Sequence, residues 1–247
     1  MHRKNGSGKT FYFKQFHIHH DRCAMKVGTD SVLLGAWANI DGVKKILDIG
    51  SGSGVLAMML AQRTDTDVTV HGVEIDHQAY LQACINAQES PWPQRITYYH
   101  QAIQNFHDET SFDLIVCNPP YFNNSKHSPD LKRTQARHNT ILPYEDLIAG
   151  VKKHLKDSGR FALILPYSEG MDFIALATMA GLVCSRKCGF RSVNNKQVSR
   201  LLLEFSYTPS PTAIAEIVLY TPDGKWTKEY TGLVAPFYLD QRNGRPV

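Results

Sequence analysis

Four consecutive residues, Asn118, Pro119, Pro120 and Tyr121, have the types and order needed to hold a planar amine. Two prolines fix φ and remove two backbone donors, so the segment presents carbonyl oxygens in a stiff arrangement. An amine placed there can donate one N–H to the Asn118 side-chain oxygen and the other to the Pro119 carbonyl. Such a nitrogen is a weak nucleophile because its lone pair is delocalised into the attached ring or carbonyl. Two acceptors on its hydrogens favour pyramidal geometry and turn the lone pair toward an electrophile. The protein then contributes positioning and electrostatic stabilisation, and no strongly basic side chain is required. Tyr121 would stack on the flat face of the ring, a contact worth roughly 1–3 kcal/mol for a nucleobase. The plain alternative is a turn, since Asn and Pro are common turn residues.

A second candidate is the run Asp48-Ile49-Gly50-Ser51-Gly52-Ser53-Gly54, which follows an apolar stretch and opens a helical one. Glycines permit positive φ and close approach of a ligand, and helix N-terminal amides face what binds. Glu74 lies 24 residues after Gly50, where its carboxylate can accept from two ribose hydroxyls. A dinucleotide site also wants a glycine-rich turn with an acidic residue about 20 positions on, and Gly52-x-Gly54-x-x-Ala57 fits it. The loop alone therefore leaves NAD and S-adenosylmethionine both open, with a mere tight turn as the third reading.

The elements that must position these residues are legible from residue 44 onward. Apolar β-branched runs alternate with helix-period segments, the pattern of βα units and a largely parallel sheet. Strands are predicted over 44–49, 68–73, 96–99, 112–117, 160–165, 182–189 and 201–207, and helices over 54–62, 77–89, 144–154 and 169–180. The last two strands are separated only by a loop, so they are expected to form an antiparallel hairpin closing the sheet's edge. Residues 214–220 could form another strand. The expected organisation is an N-terminal extension over 1–43 capping the pocket, a catalytic domain over 44–207, and a C-terminal strand and tail over 208–247 packed on it.

Composition sets the frame. With 247 residues, one α/β domain is the default. A hydrophobic fraction of 43% without a run long enough to span a bilayer argues against a membrane protein. Residues 1–10 lack the apolar core of a secretory leader. Five scattered cysteines suggest neither a disulfide framework nor a CxxC metal site, which fits a reducing cytoplasm. A net charge of +4 permits attraction to phosphates without demanding it.

The chain resembles the class I methyltransferases and, within them, the bacterial tRNA1(Val) adenine-37 N6-methyltransferase family. The resemblance spans nearly the whole chain and is strongest in residues 11–16, 20–30, 33–37, 47–54, 118–121 and 237–239. It implies a Rossmann-like fold with a seven-stranded, mostly parallel sheet and an antiparallel edge hairpin. It also implies S-adenosylmethionine as cofactor and N6 of an adenine in tRNA as the methyl acceptor. Lys26, Gly28, Thr29 and Asp30 would flank the methionine end of the cofactor. Asp48, Gly50, Gly52, Gly54, Glu74, Ile75, Gln101, Ala102 and Asn118 would line the rest of its site. Where related enzymes carry an acidic residue toward the cofactor adenine, this chain has His100-Gln101-Ala102-Ile103, and Gln101 is the candidate replacement. A helix through Val32, Leu33, Leu34 and Trp37 would pack under the sheet. Phe13, with Phe11 and Phe16, covers the target pocket or joins the core.

The remaining clusters admit two readings each. Lys126, Arg133 and Arg137, with Lys132 and His138, form either a phosphate-contacting lid beside the site or solvated loop charge. Arg186, Lys187, Arg191, Lys196 and Arg200 form a second basic patch under the same alternatives. His17, His19 and His20 look like a metal cluster, but alternation puts His20 on the other side, so no metal is expected. The asparagine-proline-proline segment also serves enzymes that methylate release-factor glutamine or bases in rRNA and DNA. About 43 residues before the first strand and about 40 after the last leave little room for the extra domains that the protein and DNA enzymes use. The oligomeric state is not legible.

Overall fold

The computed structural model describes residues 9–120 and 142–239. The chain opens with a short antiparallel hairpin, β1 (Thr10–Tyr12) and β2 (His17–His19), followed by α1 (Thr29–Trp37). Next come β3 (Lys45–Ile49), α2 (Val55–Arg63), β4 (Thr69–Glu74), α3 (His77–Gln88) and β5 (Ile96–His100). The second half contains β6 (Phe112–Cys117), α4 (Tyr144–His154), β7 (Leu155–Pro166), α5 (Tyr167–Met179), β8 (Val183–Val193), β9 (Arg200–Ser206), β10 (Ala213–Tyr220) and α6 (Lys228–Val234).

Two-residue periodicity explains the layering. In β3, Ile46 joins one buried cluster while Leu47 and Ile49 join the other; in β6, Leu114 and Val116 part from Ile115 and Cys117 in the same way. Strands buried on both faces need cover on both faces. Leu33 and Leu34 of α1, the apolar side of α2 and Ala83 and Ala87 of α3 supply it on one side. Leu147, Ile148 and Val151 of α4 and Phe173 of α5 supply it on the other. Helix α4 also carries Glu145 and Asp146 in its first turn and Lys152, Lys153 and His154 in its last, matching its dipole.

The large sheet has the order β10-β8-β9-β7-β6-β3-β4-β5, and every neighbouring pair is parallel except the two made by β9. Two expectations change here. The sheet has eight strands rather than seven, because residues 213–220 do form a strand. The β8/β9 pair is antiparallel as expected but is not the edge: β9 inserts between β7 and β8, and β10 lies outside β8. Non-local pairing of that kind leaves no local sequence signal.

The hairpin β1/β2 is held by the C-terminal segment and by α3. Lys14 N donates to the Phe237 carbonyl at 2.7 Å, and Phe13 bridges Tyr238. Asn86 of α3 clamps His19 by accepting from its N–H at 2.9 Å and donating to its carbonyl at 2.8 Å. No helix among the described residues is long and apolar enough to cross a membrane.

Candidate active site

Strands β4 and β6 flank β3, with Ile49 opposite Val73 on one side and opposite Cys117 on the other. The chain leaves β3 at Gly50 and β6 at Asn118. The glycine bend and the proline corner therefore begin on adjacent strands, about 4.8 Å apart, at the same end of the sheet. Carboxyl ends of parallel strands are where open α/β folds collect ligands.

Gly50 and Gly52 have φ of 72° and 55°, and a Cβ at either would meet nothing within 4 Å. Backbone conformation, not crowding, requires glycine there, and the outer face of the loop is open. The loop's amides are largely occupied. Gly50 N and Ser51 N donate to the Val73 carbonyl at 2.9 and 3.1 Å, Gly54 N to the Ser51 carbonyl at 2.8 Å, and Gly52 N to Glu74 Oε2 at 2.8 Å. Glu74 Oε1 accepts from Asp76 N, also at 2.8 Å, so the carboxylate is fixed by one amide on each oxygen and retains lone pairs for hydroxyl donors.

Asp48 lies beneath this loop, fully buried, with no hydrogen-bond partner for either oxygen. Burial foremost, and then the charge of Glu74, push its carboxyl up to about 8; the nearby Ala57 amide, outside hydrogen-bonding geometry, works the other way. The same field acts on thiols. Cys23 is pushed up to about 11 by burial, then by Glu74, Asp76 and Asp21, and Cys117 is raised well above the usual thiol range by burial, then by Asp48 and Glu74. Neither cysteine is a thiolate at neutral pH, which removes sulfur nucleophiles from the chemistry.

These observations separate the two cofactors left open by the loop sequence. A dinucleotide brings a pyrophosphate that needs unoccupied amides and positive surroundings. Here the amides of Gly50, Ser51, Gly52 and Gly54 are satisfied internally and the neighbouring side chains are carboxylates. A cofactor with a sulfonium, an ammonium and a ribose diol fits that setting.

Asn118 is oriented from an unexpected quarter. Its Nδ2 donates to Ser31 Oγ of α1 at 2.9 Å, which turns Oδ1 to the other side of the amide. The neighbouring Asp30 accepts from Arg200 Nε of β9 at 2.9 Å, tying the start of α1 to the sheet. Pro119 is buried and Pro120 exposed, so the corner is anchored on one side and open on the other.

Residues 24–181 match the family model for the methyltransferase small domain. A tRNA1(Val) (adenine(37)-N6)-methyltransferase from Photorhabdus laumondii is 43% identical over 231 residues, covering 93% of this chain and 95% of that protein. The chain belongs to this methyltransferase family. Among solved structures, an Agrobacterium tumefaciens protein described as a predicted O-methyltransferase matches with a TM-score of 0.63 at 18% identity, covering 84% of this chain and 96% of the other. A glycopeptide N-methyltransferase solved with S-adenosyl-L-methionine matches with a TM-score of 0.53 at 13% identity, covering 74% of this chain and all of the other. At such identities the two structures speak for the fold alone.

Against this methyltransferase frame, the other expected site residues fall into place unevenly. Lys26, Gly28 and Thr29 are exposed at the entrance to α1, and Asp30 is engaged by Arg200. Ile75 is 51% exposed just past Glu74, and its carbonyl accepts from His100 Nε2 at 3.1 Å. Gln101 N donates to the Glu74 carbonyl at 3.0 Å, which brings Gln101 and Ala102 alongside the end of β4. Asp48 is fully buried beneath the loop. Of the two readings of Phe13, its burial fits the core: it is 4% exposed and stacks on Phe16 at 4.5 Å and Tyr238 at 6.1 Å. Tyr121, Lys126, Arg133 and Arg137 lie outside the described residues, as do Lys132 and His138. The second basic patch is largely neutralised, since Arg186 pairs with Glu204 at 2.9 Å, Arg191 with Glu216 at 2.5 Å and Arg200 with Asp30. Ser31 is the site residue that sequence reading missed; an unremarkable serine 87 positions from its partner gives no signal.

Proposed function

We propose that this chain methylates N6 of adenine 37 in tRNA1(Val), using S-adenosylmethionine, in the cytoplasm. The observation that carries the reading is the Asn118 amide, turned by Ser31 and standing one strand from the glycine bend. Bound S-adenosylmethionine supplies an electrophilic methyl on its sulfonium. Glu74, held by the amides of Gly52 and Asp76, would accept from the ribose hydroxyls of the cofactor. Asn118 Oδ1 and the Pro119 carbonyl accept the two hydrogens of the adenine amine, drawing its lone pair out of conjugation. As the nitrogen gains positive charge its protons become acidic and these same oxygens stabilise the developing charge; one proton is then lost to solvent, and the demethylated cofactor would leave as a neutral thioether. The protonated thiols of Cys23 and Cys117 stay out of the reaction. Tyr121 would stack on the target base, and Lys126, Arg133 and Arg137 would contact phosphates.

The test is incubation with tritiated S-adenosylmethionine and separate pools of tRNA, rRNA, DNA and release factor, followed by nucleoside mass spectrometry. Label is expected in tRNA as N6-methyladenosine at position 37. Label in protein alone would overturn the substrate assignment.

A further inference from the structure

A second polar site lies on the N-terminal hairpin, built from residues that methyl transfer does not use. In the hairpin register, Tyr12 faces His17 and Thr10 faces His19, so both imidazoles leave β2 on one side. His17 Nε2 and His19 Nε2 converge on one atom, Glu89 Oε2 at the C-terminal cap of α3, at 2.9 and 3.1 Å. The rings stand edge to face with centroids 4.9 Å apart, and the three ligand-type atoms all lie within 4.8 Å of one another. Among the described residues this is the one group of three or more such side chains.

We propose that His17, His19 and Glu89 bind one borderline divalent cation of the zinc class. Two imidazoles and a carboxylate are a ligand set for such an ion, with the fourth position left to water. Tetrahedral zinc at about 2.0–2.1 Å from each ligand sets neighbouring ligand atoms about 3.3 Å apart. The Nε2–Oε2 separations need to open by only a few tenths of an ångström. The scaffold is already built, because Asn86 clamps the His19 backbone to α3 through two hydrogen bonds.

The outer shell also fits. Thr10 Oγ1 lies 2.8 Å from His19 Nδ1. A hydroxyl can donate or accept, so it supports both tautomers of the ring. Without the ion, Nε2–H donates to Glu89 and Nδ1 accepts from Thr10. With the ion, Nε2 releases its proton and ligates, Nδ1 takes up a proton from solvent in exchange, and Nδ1–H donates to Thr10, the usual bracing of a metal-bound histidine. Alternation along the sequence argues against a metal here because it supplies two ligands only. The third is 70 positions from His19 and comes from another element. The bound ion would staple β2 to α3.

The experiment is calorimetric titration of tag-free, full-length protein with zinc chloride, with thermal melts in parallel and cobalt(II) as a spectroscopic probe. One ion per chain is expected, reversed by EDTA, with a raised Tm and a cobalt spectrum lacking a thiolate charge-transfer band. His17→Gln, His19→Gln and Glu89→Gln should each weaken binding by more than about tenfold, and Thr10→Val by about tenfold. Methyl transfer and circular dichroism should be unchanged in all four, which separates this test from that of the proposed function. No heat and no Tm shift at a large molar excess of zinc would overturn the site. So would undiminished binding in the doubly substituted His17→Gln, His19→Gln chain, or a cobalt spectrum dominated by sulfur.

Discussion

The two ends of the same parallel strands treat carboxylates in opposite ways. At the amino ends, three aspartates each have a lysine. Asp113 pairs with Lys156 at 2.6 Å and accepts from the amides of Lys44 and Lys45, Asp108 pairs with Lys45 at 2.6 Å, and Asp67 pairs with Lys44 at 2.6 Å. Burial works against ionisation of Asp113 and Asp108, but their lysine and amide partners outweigh it and hold both below the usual range. At the carboxyl ends, Asp48, Glu74 and Asp76 stand together with no ion pair among the described residues, and Asp48 is driven up to about 8. Compensated charge at one end serves stability, whereas at the other Glu74 and Asp76, beside the buried and protonated Asp48, lack an ion pair among the described residues and suit a cationic ligand.

Substitutions at the two ends should therefore fail in different assays. Asn118→Ala is expected to lower kcat about 10²–10³-fold while cofactor affinity and Tm stay near wild type, because only transition-state contacts are removed. Comparable turnover by this variant would refute the assigned role. Glu74→Gln should weaken cofactor binding about 10–100-fold in a titration, since a charged acceptor is lost and an amide NH₂ is set against backbone donors.

Asp113→Asn tests the opposite end. Removing the charge strands Lys156 and weakens the acceptor for two amides, which should cost about 1–3 kcal/mol in urea unfolding, with kcat unchanged at permissive temperature. A drop in kcat without a drop in stability would erase the division. The finest distinction comes from Asp48. Its folded pKa is raised above the unfolded value, so the folded state binds the extra proton between about pH 4 and 8 and stability falls as pH rises through that window. The slope contributed is about 1.4 kcal/mol per pH unit. Asp48→Asn should flatten the wild-type dependence by that amount, measured between pH 6 and 7 without cofactor, and an unchanged slope would contradict the burial argument.

What could be read from the sequence divides along the same physical line. The glycine bend, Glu74 and the proline corner were legible because each is a local pattern at the end of a recognisable strand. The helix over 144–154 was legible because Leu147, Ile148 and Val151 recur at helical spacing. The place of β9 between β7 and β8, the hold of Ser31 on Asn118 and the meeting of Glu89 with two histidines all depend on residues far apart in the chain. Periodicity carries no information about them. Asp48 illustrates a subtler gap: its position in the motif was evident, but whether a carboxylate faces a ligand or the core depends on which side of the bend the strand presents.

The bond between Lys14 and Phe237, with Phe13 against Tyr238, gives translation a direction to reckon with. A three-residue-per-strand hairpin is marginal alone, and the aromatic half of its packing is synthesised only after every strand of the large sheet. The hairpin should settle only after synthesis passes Tyr238, well after the central strands can assemble. Limited proteolysis of stalled nascent chains would show it: cleavage within residues 9–19 should persist in chains ending before Phe237, and early protection there would rule the order out.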